Sequence, residues 1–187
     1  MRIFNSLFLT LVLISMPSQS IAAYAQSDVS SDGVVVTQHY LATEIGENIL
    51  AQGGNAYDAA IAVGFALAVV LPRAGNIGGG GFMVIYDKKA NDTYAIDYRE
   101  KAPAASFRDM YLDENGEFDI LKSTFGYSAI GVPGTVHGFW SVHQRFGSLP
   151  WADLIQPSIM LAERGFMMSD YMAETLSNYF EKMSYYD

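Results

Sequence analysis

The stretch that decides how this chain reads is Leu71-Pro72-Arg73-Ala74-Gly75-Asn76-Ile77-Gly78-Gly79-Gly80-Gly81-Phe82-Met83. Ahead of it, Ala59 to Leu71 is apolar on all sides of a helix, a pattern that belongs in the middle of a core or in lipid. The run is too short to span a bilayer and Pro72 ends it, so it reads as a central core helix, with Asn55 available as its cap. After the glycines come two strand-like segments, Phe82 to Tyr86 and Tyr94 to Tyr98, joined by the polar stretch Lys88 to Asp92. A dinucleotide fingerprint follows a strand and opens a helix; this loop does the reverse. A Walker loop needs Lys-Ser or Lys-Thr where Phe82-Met83 stand, so nucleotide binding is set aside. Four consecutive glycines permit positive φ and close backbone approach, by a ligand or by another strand. Taken alone, the run is better read as a structural turn.

Upstream, a helix is expected from about Leu41 to Gln52, with Leu41, Ile45, Ile49 and Leu50 as its apolar face and Gly53-Gly54 as its stop. Downstream, Asp113-Glu114-Asn115-Gly116 is a turn, and Gly131-Val132-Pro133-Gly134 feeds a helix that runs to about Arg145 and closes at Gly147. Pro150 opens a further helix to Gly165, with Leu154, Ile155, Ile159 and Leu161 expected inward. Ser169 is placed as the N-cap of a last helix carrying Tyr171, Leu176, Tyr179, Phe180 and Met183. That aromatic-rich helix needs a partner surface, from another chain or from sequence beyond Asp187. Helices flanking a strand pair predict an α/β (α+β) layered architecture with too few strands to close a domain.

At the N-terminus, Arg2 is the one charge before Asp28, Leu7 to Ile14 is apolar, and Ala23-Tyr24-Ala25 offers a small-x-small cleavage site. Residues 1–25 therefore read as a secretory signal cleaved after Ala25, which predicts a periplasmic or secreted protein with no stable membrane insertion. Half of the 187 residues are hydrophobic, enough to build a core. A net charge of −9 with no basic run argues against nucleic acid as a partner. The absence of cysteine excludes disulfides, thiolate metal sites and a thiol nucleophile.

The chemistry-bearing residues are few. His137 and His143 lie six apart, about 600° around a helix, so they cannot share a face as a metal pair does, and His39 is remote in sequence; no metal site is expected. No G-x-S-x-G elbow is present. Asp113 and Glu114 sit side by side in a turn and do not make an acid–base pair. Arg99 is the residue of most interest. It stands at the end of the second strand, where period two puts it on the face of Asp97, opposite Tyr94, Ile96 and Tyr98. A guanidinium there can grip a carboxylate with two charge-assisted bonds, or it can pair with Asp97 or Glu100. From physics alone the ion pair has the edge.

Taken together, Gly53-Gly54-Asn55-Ala56-Tyr57-Asp58-Ala59-Ala60, the Leu71 to Met83 stretch and Asp97-Tyr98-Arg99-Glu100-Lys101-Ala102-Pro103 resemble the γ-glutamyltransferase (glutathione hydrolase) family. Gly131-Val132-Pro133-Gly134-Thr135-Val136, Gln156-Pro157-Ser158-Ile159 and Ala162-Glu163-Arg164-Gly165-Phe166 continue the likeness in the family's order. The resemblance implies an N-terminal-nucleophile hydrolase of four-layer αββα fold, of which residues 26–187 would be the N-terminal part of the large subunit. It implies that Arg99 binds the α-carboxylate of a γ-glutamyl donor such as glutathione. The acceptor would be water, an amino acid or a peptide. It also implies a small subunit cut from the same precursor and no cofactor. The family's nucleophile is a Thr freed by self-cleavage within a Thr-Thr-His-like stretch. None of Thr10, Thr37, Thr43, Thr93, Thr124, Thr135 or Thr175 has that context, so no catalytic residue is expected in this chain. A catalytically inactive truncated member, a β-lactam acylase and a poly-γ-glutamate-processing enzyme are the alternatives.

Overall fold

In the computed structural model of the chain the described residues are 33–183; the expected signal peptide lies outside them. Helix α1 spans Tyr40–Ala51, and its N-terminus is capped by His39, whose Nδ1 accepts the Leu41 N–H at 3.3 Å. Its buried face is Ala42, Gly46 and Ile49, and the two small residues let it lie close against its neighbour. That neighbour is α2, Ala56–Val70, which starts at a capping box: Asn55 Oδ1 accepts the N–H groups of Tyr57 and Asp58, and Asp58 accepts the Asn55 N–H. Helix α2 packs against α1, α4 (Thr135–Phe146) and α5 (Trp151–Arg164), which makes it the central helix the apolar run predicted. It is not buried all round, since Ala56 and Ala60 are exposed.

Strands β1 (Phe82–Asp87) and β2 (Asp92–Asp97) form an antiparallel pair in register from Phe82 opposite Asp97 to Asp87 opposite Asp92. Met83, Ile85, Tyr94, Ile96 and Tyr98 turn toward the helices and join the core of Ile61, Phe65, Phe139, Val142 and Leu154. Edge-to-face rings knit the layers: Phe139 lies 5.3 Å from Phe65 and 5.8 Å from Tyr98, and Phe65 lies 5.6 Å from Trp151. The opposite face of β1 is open, with Phe82, Val84 and Tyr86 each more than half exposed.

Helix α3 (Ile120–Thr124), capped by Asp119, and a 3₁₀ turn at Tyr127–Ala129 were not foreseen from periodicity. Both are too short to show a hydrophobic period, and α3 is nucleated by its cap. In α5 the inward set differs from expectation. Leu154 and Ser158 are buried, whereas Ile159 faces out at 42 % exposure. In α6 (Asp170–Met183) Ser169 does cap the helix, its Oγ accepting the Met172 N–H at 3.3 Å. Among the described side chains of that helix Met172 is buried, while Tyr171, Tyr179 and Phe180 face out.

Asp58 ties distant segments together. It is fully buried, and its carboxylate accepts the backbone N–H of Ser148 at 3.1 Å and the Ser148 hydroxyl, 90 residues along the chain. Asn55 adds a bond from Nδ2 to the Phe146 carbonyl at 2.7 Å. Together they lock the start of α2 onto the α4–α5 connection. Replacing the buried Asp58 by Ala leaves three part-buried donors without their acceptor, and the expected loss is about 3 kcal/mol. In a thermal melt this corresponds to a fall of about 6–12 °C, with Ser148→Ala costing clearly less.

Candidate functional site

The sheet ends where the chain must bend. Tyr98 makes a last ladder bond to the Gly81 carbonyl at 3.0 Å, and Lys101 and Val132 exchange backbone bonds at 3.2 and 2.8 Å. Between those two anchors lie Arg99 and Glu100. Asp97 Oδ1 accepts the Arg99 N–H at 3.0 Å, an Asx turn that takes the chain out of β2. Arg99 is therefore beyond the strand, and its guanidinium does not pair with Asp97 as same-face geometry had suggested. Its Nε donates to Glu100 Oε2 at 2.9 Å, and its Cζ stands 5.8 Å from the centre of the Phe82 ring.

This pair presents the guanidinium in a particular way. The Arg99 side chain is 60 % exposed, and among the described residues its hydrogen bonding is through Nε alone, which leaves the two outer amino groups without a hydrogen bond there. The Glu100 carboxyl is held below its ordinary 4.5, first by its own backbone N–H, then by the Arg99 guanidinium, and also by the Gly80 N–H. Because the folded-state value is depressed, the interaction is fully present above the ordinary glutamate range and is lost as pH falls through the lowered value. A carbon-13 titration of the Glu100 carboxyl is expected to give an inflection below that of an unpaired glutamate, returning toward it in Arg99→Ala.

Two glycines bring the backbone of this bend into close contact. A methyl group on Gly80 would lie 2.5 Å from the Tyr98 carbonyl oxygen and 2.8 Å from Arg99 Cα. One on Gly134 would lie 1.9 Å from the same Tyr98 oxygen. The glycine loop is held in turn by α4, since the Gly79 carbonyl accepts the N–H groups of Gly134 (2.8 Å) and Thr135 (3.1 Å). Thus the four-glycine run is a tight structural element and also the wall against which Arg99 is set. Beside it opens a hollow of about 480 Å³ lined in part by Arg99, Glu100, Lys101, Ser106, Tyr111 and Gly131. The approach of Gly131 to Thr135 to Arg99 left no local signal in the sequence.

The histidines do other work. His39 caps α1, and His143 Nε2 lies 2.8 Å from the Leu149 carbonyl with its ring 5.2 Å from that of Trp151. His137 is exposed on α4. The site can thus bind an anion through a fixed, solvent-facing guanidinium, and a carboxylate matches its fork.

The gamma-glutamyltranspeptidase family model matches residues 42–187. The glutathione hydrolase proenzyme of Bacillus subtilis (strain 168) is 48 % identical over 169 residues, which are 90 % of this chain and 29 % of that protein. Among solved structures, Helicobacter pylori gamma-glutamyltranspeptidase superposes with a TM-score of 0.77 at 48 % identity, covering 80 % of this chain and 42 % of that one. The gamma-glutamyltranspeptidase of Pseudomonas nitroreducens complexed with L-DON gives a TM-score of 0.79 at 43 % identity, covering 83 % and 46 %. The chain thus spans under a third of the length of the curated relative and under half of the solved ones.

Proposed function

The chain belongs to the gamma-glutamyltranspeptidase family, and we propose that residues 26–187 are the N-terminal part of the large subunit of an exported γ-glutamyltransferase. Its helices and strand pair are a portion of that family's layered N-terminal-nucleophile hydrolase fold. In the reaction proposed, a Thr hydroxyl outside these residues attacks the γ-carbonyl of glutathione or a related donor. The Thr's own α-amino group takes the hydroxyl proton and passes it to the departing amine. Water, an amino acid or a peptide then takes the γ-glutamyl group from the Thr oxygen, and no metal or organic cofactor enters. Arg99 holds the donor by its α-carboxylate.

The observation that carries this reading is the state of Arg99: 60 % exposed and held through Nε by Glu100, with its outer amino groups making no hydrogen bond among the described residues. Two parallel N–H bonds to one carboxylate are what such a fork offers, each worth roughly 1.5–3 kcal/mol. The test expresses the complete reading frame from which these residues derive and assays release of 4-nitroaniline from L-γ-glutamyl-4-nitroanilide. Turnover by the complete product and none by residues 26–187 alone is expected. Turnover by the short chain overturns the placement of the nucleophile; an inert complete product overturns the activity. Export is checked separately, by an N-terminal sequence of the secreted form that begins at Gln26.

A further inference from the structure

Asn76 sits in the glycine loop and Thr135 in the first turn of α4, 59 residues later. Thr135 is 3 % exposed, and its hydroxyl donates to Asn76 Oδ1 at 2.7 Å. The same Oδ1 accepts the Gly79 N–H at 2.9 Å, while the Gly79 carbonyl takes the N–H groups of Gly134 and Thr135. Gly79 is therefore held at its N–H by Asn76 and at its carbonyl by Gly134 and Thr135. The next residue, Gly80, lies against the bend itself: a methyl group there would stand 2.8 Å from Arg99 Cα and 2.7 Å from the Glu100 nitrogen.

We propose that the Thr135–Asn76 pair is a positioning device for the donor site: by fixing Gly79 it sets Gly80, and through Gly80 the Arg99–Glu100 backbone from which the guanidinium and its Glu100 partner project. This rests on the reading of Arg99 as the carboxylate-binding residue. The route is physical throughout. A hydroxyl bonded to an amide oxygen inside the fold has one geometry, and the peptide it holds cannot slide. Gly80 has no side chain to cushion a shift, so a displaced loop presses directly on the Arg99–Glu100 backbone. Misplacing a guanidinium by less than an ångström spoils a two-bond fit to a carboxylate. Neither residue touches the donor; both act through Gly79.

The test uses the complete self-processed enzyme and the inhibition constants of two competing ligands. L-Glutamate carries the α-carboxylate; 4-aminobutyrate is the same molecule without it. In Thr135→Val, which keeps shape and loses the hydroxyl, the inhibition constant of L-glutamate is expected to rise about 5- to 20-fold, less than the roughly 10- to 150-fold that loss of one whole charge-assisted bond would give, because the guanidinium is misaligned and not removed. That of 4-aminobutyrate stays unchanged, and Thr135→Ser restores L-glutamate binding. Asn76→Ala, at an exposed position, is expected to match Thr135→Val and serves where the valine variant does not fold. No rise for L-glutamate in either variant, an equal rise for both ligands, or failure of the serine variant to rescue overturns the proposal. Arg99→Ala is measured alongside: if it too leaves L-glutamate binding unchanged, the fault lies in the reading of Arg99 and not in the Thr135–Asn76 link.

Discussion

Replacing Arg99 by lysine in the complete enzyme is expected to raise the KM for a γ-glutamyl donor about 10- to 100-fold, with self-cleavage intact. Lysine keeps the positive charge. What it loses is the planar fork, and with it one of the two parallel bonds to the carboxylate and the Nε bond to Glu100. Each such bond is worth roughly 1.5–3 kcal/mol, and 1.4 kcal/mol is a factor of ten. The loss should fall on KM because the α-carboxylate keeps its charge throughout acyl transfer and lies away from the reacting γ-carbonyl. An interaction equal in ground and transition states is seen in KM and not in kcat. Arg99→Ala should go further in the same direction. A donor KM that stays within twofold in both variants removes Arg99 from the site.

How much of this was legible beforehand depended on distance along the chain. Helix α2, the two strands and the stop at Gly53-Gly54 were legible because apolar period and punctuation are local signals. Among the described residues only the Met83 and Ile85 side of β1 is covered, while Phe82, Val84 and Tyr86 are exposed. Ile159 misled because a helical stripe read from sequence admits any apolar residue near the right angle. Packing against α2 instead placed Leu154 and Ser158 inward, a rotation that only the neighbouring helix decides. At the site, Arg99 and the glycines were visible as residue types. Their juxtaposition was not, since it depends on Gly134 and Thr135 returning to the loop from 59 residues away from Asn76. The Nε pairing with Glu100 was one of two ion pairs that sequence left open. The Asx turn at Asp97 chose between them, by spending that carboxylate on the Arg99 backbone.

Gly134→Ala is expected to cost about 3 kcal/mol, a fall in melting temperature of about 6–12 °C, while Gly78→Ala in the same assembly stays within about 0.5 kcal/mol. The contrast isolates the cause. Gly134 has φ −116° and ψ −20°, a conformation any residue adopts, so alanine meets no backbone strain there. In the unfolded chain alanine has less freedom to lose than glycine, which by itself favours the variant by about 0.4–1 kcal/mol. Any net loss is therefore steric, and the obstacle is rigid. The new methyl would stand 1.9 Å from the Tyr98 carbonyl oxygen and 3.0 Å from that of Arg99, atoms fixed by the Gly81 ladder bond and the Lys101–Val132 pair. Gly78, by comparison, has nothing within 4 Å. Because the clash falls on the peptide that carries Arg99, Gly134→Ala should also weaken L-glutamate binding in whatever fraction folds, whereas Gly78→Ala should not. Equal melting and equal binding in the two variants would mean that the loop and the Arg99 bend are not in contact in solution, and with that the structural basis for a preset guanidinium falls.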